Sequence, residues 1–185
     1  TQWFVNSTLS YSSHLLRHAK PNSIAIIYRN ELGDEVKISW NSLLHRASNI
    51  KNKLIQAKVK KGDVIAGYLL NHPDTIASFI ATNSLGAIWS CCSPDFGIDS
   101  IVDRFGQLNP KVLLAHNKYT YGGKPFDQSK KIVALEKRLP SLRKTLVFSN
   151  NFEDWDLESK SWIDLQPVSV PFEHPIWVLF SSGTT

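Results

Sequence analysis

The chain between residues 64 and 115 reads VIAGYLLNHPDTIASFIATNSLGAIWSCCSPDFGIDSIVDRFGQLNPKVLLA. It contains three short apolar runs of strand length, at residues 64–70, 87–91 and 112–115. Apolar residues at helical spacing separate these runs. The order strand, helix, strand, helix, strand is typical of βαβ units, in which a helix connects two parallel strands. We therefore predict an α/β fold with a largely parallel sheet flanked by helices.

Both helices in this stretch carry recognisable end signals. Apolar positions recur at helical spacing over residues 76–85 and again over 98–108. Pro73 suits the first turn of the first helix, because the amide hydrogen that proline lacks has no partner there. Gly86 and the Asn-Pro pair at 109–110 are residues that end helices. The spacing thus predicts two amphipathic helices with defined boundaries.

The N-terminal third predicts a hairpin followed by a long helix. Apolar runs at 24–28 and 36–40 are separated by a polar, turn-rich stretch, which indicates a β-hairpin. Apolar positions from 43 to 55 predict a helix next. We expect Ser39 to be its N-cap and Gly62 to be its stop.

The remaining C-terminal part is less regular. Its polar stretches are rich in Gly, Pro, Asn, Asp and Ser, which favour turns and loops. In order, we predict a surface loop at 117–131, a helix at 132–139, a strand at 144–148, an irregular stretch at 149–170 and a buried strand at 176–180.

Composition excludes several classes of protein. The chain has 185 residues with 42% hydrophobic content, which is typical of a globular protein. No apolar run approaches the roughly 18 residues of a membrane span, so we predict no membrane partner. The net charge is +5, but the basic residues are scattered and form no stripe interleaved with aromatic residues. We therefore predict no nucleic-acid partner.

Cysteine and histidine offer little site chemistry. Cys91 and Cys92 are adjacent, where a disulfide would be strained. Two reduced thiols in a cytoplasmic protein are the simpler interpretation, and a redox pair is the alternative. His14 and His18 are four residues apart, but nothing suggests further ligands, so we predict no metal site.

Residues 181–185 read SSGTT and directly follow the predicted strand at 176–180. Open α/β sheets bind ligands at the carboxyl ends of their strands. Consecutive backbone N–H groups can form an anion-binding nest there, and hydroxyl groups add donors. The P-loop pattern itself is absent. Taken alone, these five residues fit either a phosphate-binding loop or an ordinary surface loop.

Phe180 together with residues 181–185 resembles the first half of the adenylate-forming signature, an aromatic residue followed by [ST]-S-G-[ST]-T-G-x-P-K. The stretch at 85–97 is similar to that of acetoacetyl-CoA synthetases, and so are residues 103–113 and 121–124. The resemblance implies the N-terminal part of the adenylate-forming enzyme fold. Residues 1–185 would be the N-terminal portion of the large AMP-binding domain, cut within the phosphate loop, with the small C-terminal domain absent. The lack of any Met agrees with a fragment.

The resemblance also implies a reaction and its ligands. Such enzymes join a carboxylic acid to coenzyme A by way of an acyl-adenylate, using ATP with Mg²⁺ and releasing AMP and pyrophosphate. The residues expected to hold the β- and γ-phosphates of ATP are Ser181, Ser182, Gly183, Thr184 and Thr185. The residues expected to approach coenzyme A are Ser93, Pro94, Asp95, Phe96, Gly97, Gly123 and Lys124. No catalytic residue is assigned, and the chain alone is expected to be inactive.

Two alternatives stay open at this stage. The chain could derive from another short-chain acyl-CoA synthetase that acts on acetate or propionate. It could instead be a non-catalytic α/β binding module that keeps only the fold. Lys124 has a plainer interpretation as a solvated loop lysine. The partners expected are small molecules, namely acetoacetate, ATP and coenzyme A, and the oligomeric state is left open.

Overall fold

A computed structural model describes residues 3–181 of the chain. Their helices and strands follow one another in the order that the sequence predicts over residues 64–115. In chain order, the elements are β1 (Thr8–Leu9), α1 (Tyr11–Leu16), β2 (Ile24–Arg29), β3 (Glu35–Ser39), α2 (Trp40–Gln56), β4 (Val64–Tyr68), α3 (Pro73–Ser84), β5 (Ile88–Cys92), α4 (Ile98–Leu108), β6 (Val112–His116), β7 (Lys118–Tyr121), β8 (Lys124–Asp127), α5 (Ser129–Arg138), β9 (Lys144–Phe148) and β10 (Val170–Pro171).

The central sheet has four strands in the order β5-β4-β6-β9, and all of its pairs are parallel. Ile65 of β4 lies opposite Trp89 of β5 and Val112 of β6. This arrangement confirms the predicted α/β fold with a parallel sheet. The predicted N-terminal hairpin is also confirmed, because β2 and β3 form a separate antiparallel pair.

Helices cover both faces of the sheet, as parallel strands require. On one face, Trp89 and Leu114 belong to a buried cluster with Leu44 of α2 and Ile80 of α3. On the other face, the second cluster joins strand residues to α4 and α5. Its fully buried members include Tyr68, Leu113, Phe105 and Leu135. Side chains of a strand alternate between faces, which is why neighbouring residues of β6 divide between the two clusters.

Most of the predicted helix boundaries are correct. The Ser42 backbone N–H donates to Ser39 Oγ at 3.1 Å, so Ser39 caps α2. Pro73 is at the start of α3. Gly86 follows the end of α3 with φ +66°, and Asn109 ends α4 in the left-handed conformation. None of the helices in the described residues is long and apolar enough to span a membrane.

The predicted stop of α2 was wrong. The helix ends at Gln56, and Lys58 adopts φ 59°, so the chain turns several residues before Gly62. Val59 N–H donates to Leu54 O, which closes the helix end. Gly62 instead lies in the turn before β4, where its N–H donates to Gly86 O at 2.9 Å. The left-handed turn at Lys58 places Val59 in the buried core beside Leu54.

The segment predicted as a surface loop at 117–131 contains a hairpin, β7 paired with β8, and the start of α5. Tyr119 and Phe126 stack across the hairpin with ring centroids 4.9 Å apart. Aromatic residues alternating with polar ones around Gly122-Gly123 are the sequence pattern of this hairpin, so the prediction of a loop was wrong here. The irregular stretch at 149–170 is confirmed up to β10.

The prediction of a buried strand at 176–180 was also wrong. Within the described part of the chain, this segment makes one isolated parallel bridge, from Trp177 to Trp89, and forms no strand. Trp177 is 42% exposed and Leu179 is 72% exposed. An apolar run becomes a buried strand only where partners cover it fully. Within residues 3–181 the one strand beside this segment is β5, and Phe79 of α3 packs against Trp177.

Candidate functional site

The carboxyl ends of the four parallel strands meet at one edge of the sheet. Those ends are Tyr68, Cys92, His116 and Phe148. The loop at 93–97 leaves this edge directly after β5, and the segment at 176–181 runs beside the same strand. In sheets of this type, the crevice at the carboxyl edge is where ligands bind.

Three hydrogen bonds attach the segment at 176–178 to β5. Trp89 N–H donates to Ile176 O at 3.0 Å, and Val178 N–H donates to Trp89 O at 2.8 Å. The Ser90 hydroxyl donates to Val178 O at 3.0 Å. These bonds lead the chain to Ser181, which is exposed beyond the end of the strand.

The other residues predicted to hold ATP phosphates, Ser182, Gly183, Thr184 and Thr185, lie outside the described residues. What the structure describes is therefore the approach to the predicted loop. Its last two described residues are Phe180 and Ser181.

The loop at 93–97 is held by buried side chains. Pro94 O accepts hydrogen bonds from the Tyr68 hydroxyl at 2.7 Å and from Gln128 Nε2 at 2.9 Å. Burial raises the pKa of Tyr68 well above its ordinary value, so its hydroxyl stays a donor. Pro94 is buried, whereas the other four predicted residues of this loop, Ser93, Asp95, Phe96 and Gly97, are exposed. The loop thus has a fixed base and a free outer surface.

Arg104 of α4 links this loop to the segment that precedes residue 181. Its guanidinium carbon lies 4.9 Å from the ring centroid of Phe96 and 6.0 Å from that of Phe180. Both distances are within the range of cation–π attraction. Across residues 3–181, Arg104 forms no salt bridge with a carboxylate. Arg104 therefore contributes a positive charge between the loop at 93–97 and Phe180.

Gly123 and Lys124 lie at the turn between β7 and β8. Gly122 and Gly123 have φ 57° and 72°, a left-handed backbone conformation that favours glycine. Gly122 N–H donates to Glu31 Oε1 at 3.3 Å, and Gly123 N–H donates to Glu31 Oε2 at 3.4 Å. A carboxylate of the chain itself thus occupies this pair of amides. Lys124 is exposed.

Sequence reasoning missed a buried polar cluster at the same edge. Candidate ligand atoms of His72, Asp74 and His116 lie within 4.8 Å of one another, and all three residues are buried. Asp74 Oδ1 accepts hydrogen bonds from Arg46 Nε at 2.6 Å and from Trp155 Nε1 at 3.1 Å. We call these five residues the Asp74 hub. They come from four separate parts of the chain, so no local motif could have revealed them.

The hub fits a hydrogen-bonded ion pair better than a metal centre. Asp74 Oδ2 lies 3.0 Å from His72 Nδ1 and 3.4 Å from His116 Nε2, which are hydrogen-bond distances. Burial alone would raise the pKa of Asp74, but hydrogen bonds from both histidines and the charge of Arg46 hold it well below its ordinary value. The guanidinium already balances the carboxylate, so a divalent cation would add uncompensated charge in a buried site.

The arrangement as a whole suits binding of an anionic ligand. Among the described residues it offers the Arg104 guanidinium and the exposed Ser93 near the carboxyl edge of the sheet, and the exposed Lys124 at the turn of the β7–β8 hairpin. Within residues 3–181 there is no arrangement of nucleophile and base of the kind that covalent catalysis uses. The structure brings the loop at 93–97 close to Phe180, and it ties the hairpin to that loop through Gln128.

Comparison with known proteins gives a consistent result. The AMP-binding enzyme family matches residues 16–185. Acetoacetyl-CoA synthetase of Macaca fascicularis is 33% identical, with 100% of this chain and 30% of that protein aligned. The enzyme of Rhizobium meliloti is 32% identical with the same coverage. Malonamoyl-CoA synthetase vrtB of Penicillium aethiopicum is 30% identical over 99% of the chain and 29% of that protein.

Solved structures agree. Acetoacetyl-CoA synthetase from Streptomyces lividans superposes with a TM-score of 0.89 at 36% identity, covering 100% of this chain and 30% of that one. An acyl-CoA synthetase of Brucella canis, at 18% identity and a TM-score of 0.74, shares the fold. The chain spans about 30% of the length of the curated relatives that it matches.

Proposed function

The chain belongs to the AMP-binding enzyme family, and we propose that it is part of an acetoacetyl-CoA synthetase. The observation that carries this proposal is the likeness along the whole chain to several proteins of that name. The reaction would join acetoacetate to coenzyme A at the expense of ATP. Residues 1–185 are proposed to form the N-terminal portion of the large nucleotide-binding domain.

The chemistry would take place in two steps. The acetoacetate carboxylate attacks the α-phosphorus of ATP, which gives acetoacetyl-adenylate and releases pyrophosphate. The coenzyme A thiol then attacks the acyl carbon and releases AMP. The first step needs positioning and charge neutralisation rather than covalent help from the protein. Mg²⁺ would enter as the counterion of the ATP phosphates.

Residues 181–185 are proposed to hold the β- and γ-phosphates of ATP. The support is their position after a segment that is hydrogen-bonded to β5 at the ligand-binding edge. A Ser/Gly/Thr stretch there can offer amides and hydroxyls to phosphate oxygens. The positive charge of Arg104 beside Phe180 also favours an anion at this place.

The exposed rim of the loop at 93–97, with Gly123 and Lys124, is proposed to contact coenzyme A. Two features support this assignment. The base of the loop is fixed through Pro94, which leaves its outer side chains oriented for a ligand. Lys124 offers a point charge to a phosphate. The reduced Cys91 and Cys92 fit a cytoplasmic location for the enzyme.

The decisive measurement is pyrophosphate release by the full-length protein that contains this chain. We expect acetoacetate to give the highest kcat/KM among acetoacetate, malonamate, acetate and propionate. Malonamate is included because it shares with acetoacetate a carbonyl group β to the carboxylate, and because the vrtB relative is named for its acyl product. Equal rates with acetate would favour a general short-chain synthetase.

Two controls complete this test. No pyrophosphate with any acid would contradict an enzyme and favour a binding module. The 185-residue chain alone is expected to form no acyl-CoA, because groups of an active site act as a unit. Turnover by the isolated chain would contradict this assignment of residues 1–185 to a partial domain.

A further inference from the structure

We infer that Ser90 is a positioning residue for the proposed phosphate loop, acting through the backbone of Val178. The inference rests on the proposed function of residues 181–185 and adds a residue that the resemblance did not assign. Ser90 is fully buried in β5, and its hydroxyl donates to Val178 O at 3.0 Å. It touches no proposed ligand, so its effect must pass through the segment at 176–178.

The hydroxyl takes the place of a regular sheet bond. In a parallel ladder, the bonds made by Trp89 to residues 176 and 178 would be followed by Cys91 N–H donating to Val178 O. Among the hydrogen bonds of the described residues, that carbonyl instead accepts from Ser90 Oγ. The ladder therefore stops after one bridge, and a side chain supplies the last attachment.

Beyond Val178 the chain leaves the sheet. Leu179 is 72% exposed, and the ring of Phe180 lies 6.0 Å from the Arg104 guanidinium. Two residues, Leu179 and Phe180, separate Val178 from Ser181, and these three steps along the chain span about 10 Å when extended. The direction of the chain at Val178 thus governs where the proposed phosphate ligands begin, and a displacement of about 1 Å can cost roughly 10²-fold in rate.

A buried serine hydroxyl could also contribute to stability alone. Its loss would then lower the free energy of unfolding by about 1 kcal/mol and would not affect one half-reaction more than the other. The two roles differ in which step of the reaction they affect. Only adenylation uses the ATP phosphates, whereas attack of coenzyme A on preformed acyl-adenylate does not. A positioning role therefore predicts damage to the first half-reaction and not to the second.

The test compares Ser90→Ala with Ser78→Ala in the full-length protein. Ser78 is equally buried and its hydroxyl has no hydrogen-bond partner among residues 3–181, so the control removes the same atom without breaking a bond seen there. We expect Ser90→Ala to lower kcat/KM for ATP by roughly tenfold or more in adenylation. Thioester formation from supplied acetoacetyl-adenylate should stay within about twofold. Ser90→Thr, which keeps the hydroxyl, should restore adenylation.

Hydrogen exchange supplies a second measurement that does not depend on activity. Amides of residues 176–181 should exchange faster in Ser90→Ala than in wild type or Ser78→Ala. Equal losses in both half-reactions, or faster exchange with unchanged adenylation, would overturn the positioning role. An inactive wild-type enzyme would instead remove the proposed function, and this inference with it, whereas an active wild type beside an insensitive Ser90→Ala would remove this inference alone.

Discussion

The Asp74 hub and the segment at 176–181 lie at the same edge of one sheet, yet they are built on opposite principles. In the hub, a buried carboxylate is matched by a guanidinium, an indole N–H and two imidazoles. The segment is attached to β5 by three hydrogen bonds, and its last residues then extend into solvent. The difference separates tasks: the hub can stabilise the fold because its charges are matched inside, and the segment can meet a ligand because its groups face outward.

Asp74→Ala should produce the largest effect. It would leave the Arg46 guanidinium buried, 3% exposed, with only Asp154 at 3.8 Å as an acidic neighbour. We expect the free energy of unfolding to fall by about 3–5 kcal/mol. Urea denaturation of the full-length protein would measure it. Asp103→Ala, on the exposed side of α4, is the control and should change stability by less than about 0.5 kcal/mol. A small loss for Asp74→Ala would show that the hub is not a stability centre.

Gly67→Ala probes the strand between the two regions. A β-carbon at this position would lie 2.7 Å from the Trp89 ring, which is fully buried beside Ser90. Overpacking of this kind costs about 1–3 kcal/mol. Gly106→Ala is the matched control, because the new methyl group meets nothing within 4 Å in α4. Thermal denaturation would compare the two variants, and an equal melting temperature for both would contradict the close packing of Trp89 on β4.

Acid should weaken the interactions of the Asp74 hub before it affects the segment at 176–181. Burial lowers the pKa of His116 despite its hydrogen bond to Asp74, so the unfolded chain binds a proton at a pH where the folded protein does not. Stability is therefore complete above about pH 6.5 and falls as the pH drops below it. The depressed pKa of Asp74 adds a further loss below about pH 4. Urea midpoints measured as a function of pH would show both.

His116→Gln should flatten the upper part of that profile, where stability begins to fall below about pH 6.5. The exposed His18→Gln is the matched control and should leave the slope as in wild type. If the urea midpoint of the wild type stays constant as the pH drops below about 6.5, a neutral, buried His116 is contradicted.

Glu31→Gln should give the smallest effect, on the ligand side. The Glu31 carboxylate occupies the amides of Gly122 and Gly123, beside Lys124. Removing this negative charge should raise the affinity for a phosphate-bearing ligand by about two- to fivefold, because contacts between exposed charges contribute under about 1 kcal/mol. Calorimetric titration with coenzyme A would measure it. Glu35→Gln, which changes the same charge in the neighbouring strand, is the control. Equal affinity gains in both variants would indicate net charge rather than this contact.

Features formed by residues close together in the sequence could be predicted, whereas features formed by residues far apart in the sequence could not. The strand and helix order over 64–115 was predicted because hydrophobic period and end signals are local. The Asp74 hub was not, because Arg46, Asp74, His116 and Trp155 meet only after the chain has folded. The apolar residues at 176–180 predicted a buried strand, but burial also depends on neighbouring elements that the sequence of the segment does not reveal.

The same limit applies to the candidate site. The loop at 93–97 was identified by resemblance, but the two donors that fix Pro94 come from β4 and from the residue after β8. Ser90 gave no signal in sequence, because a serine within a strand is ordinary until its partner carbonyl is known. The hairpin around Gly122-Gly123, by contrast, is a local feature that the sequence pattern does carry.

The single bridge between Trp89 and Trp177 has a consequence for biosynthesis. The four-stranded sheet and its helices lie within residues 40–148, so they can assemble on the ribosome before residues 176–181 emerge. Until then the outer edge of β5 presents unpaired backbone groups, which other nascent chains can join. Docking of the later segment would then both complete the approach to the ligand and cover an edge that is prone to aggregation.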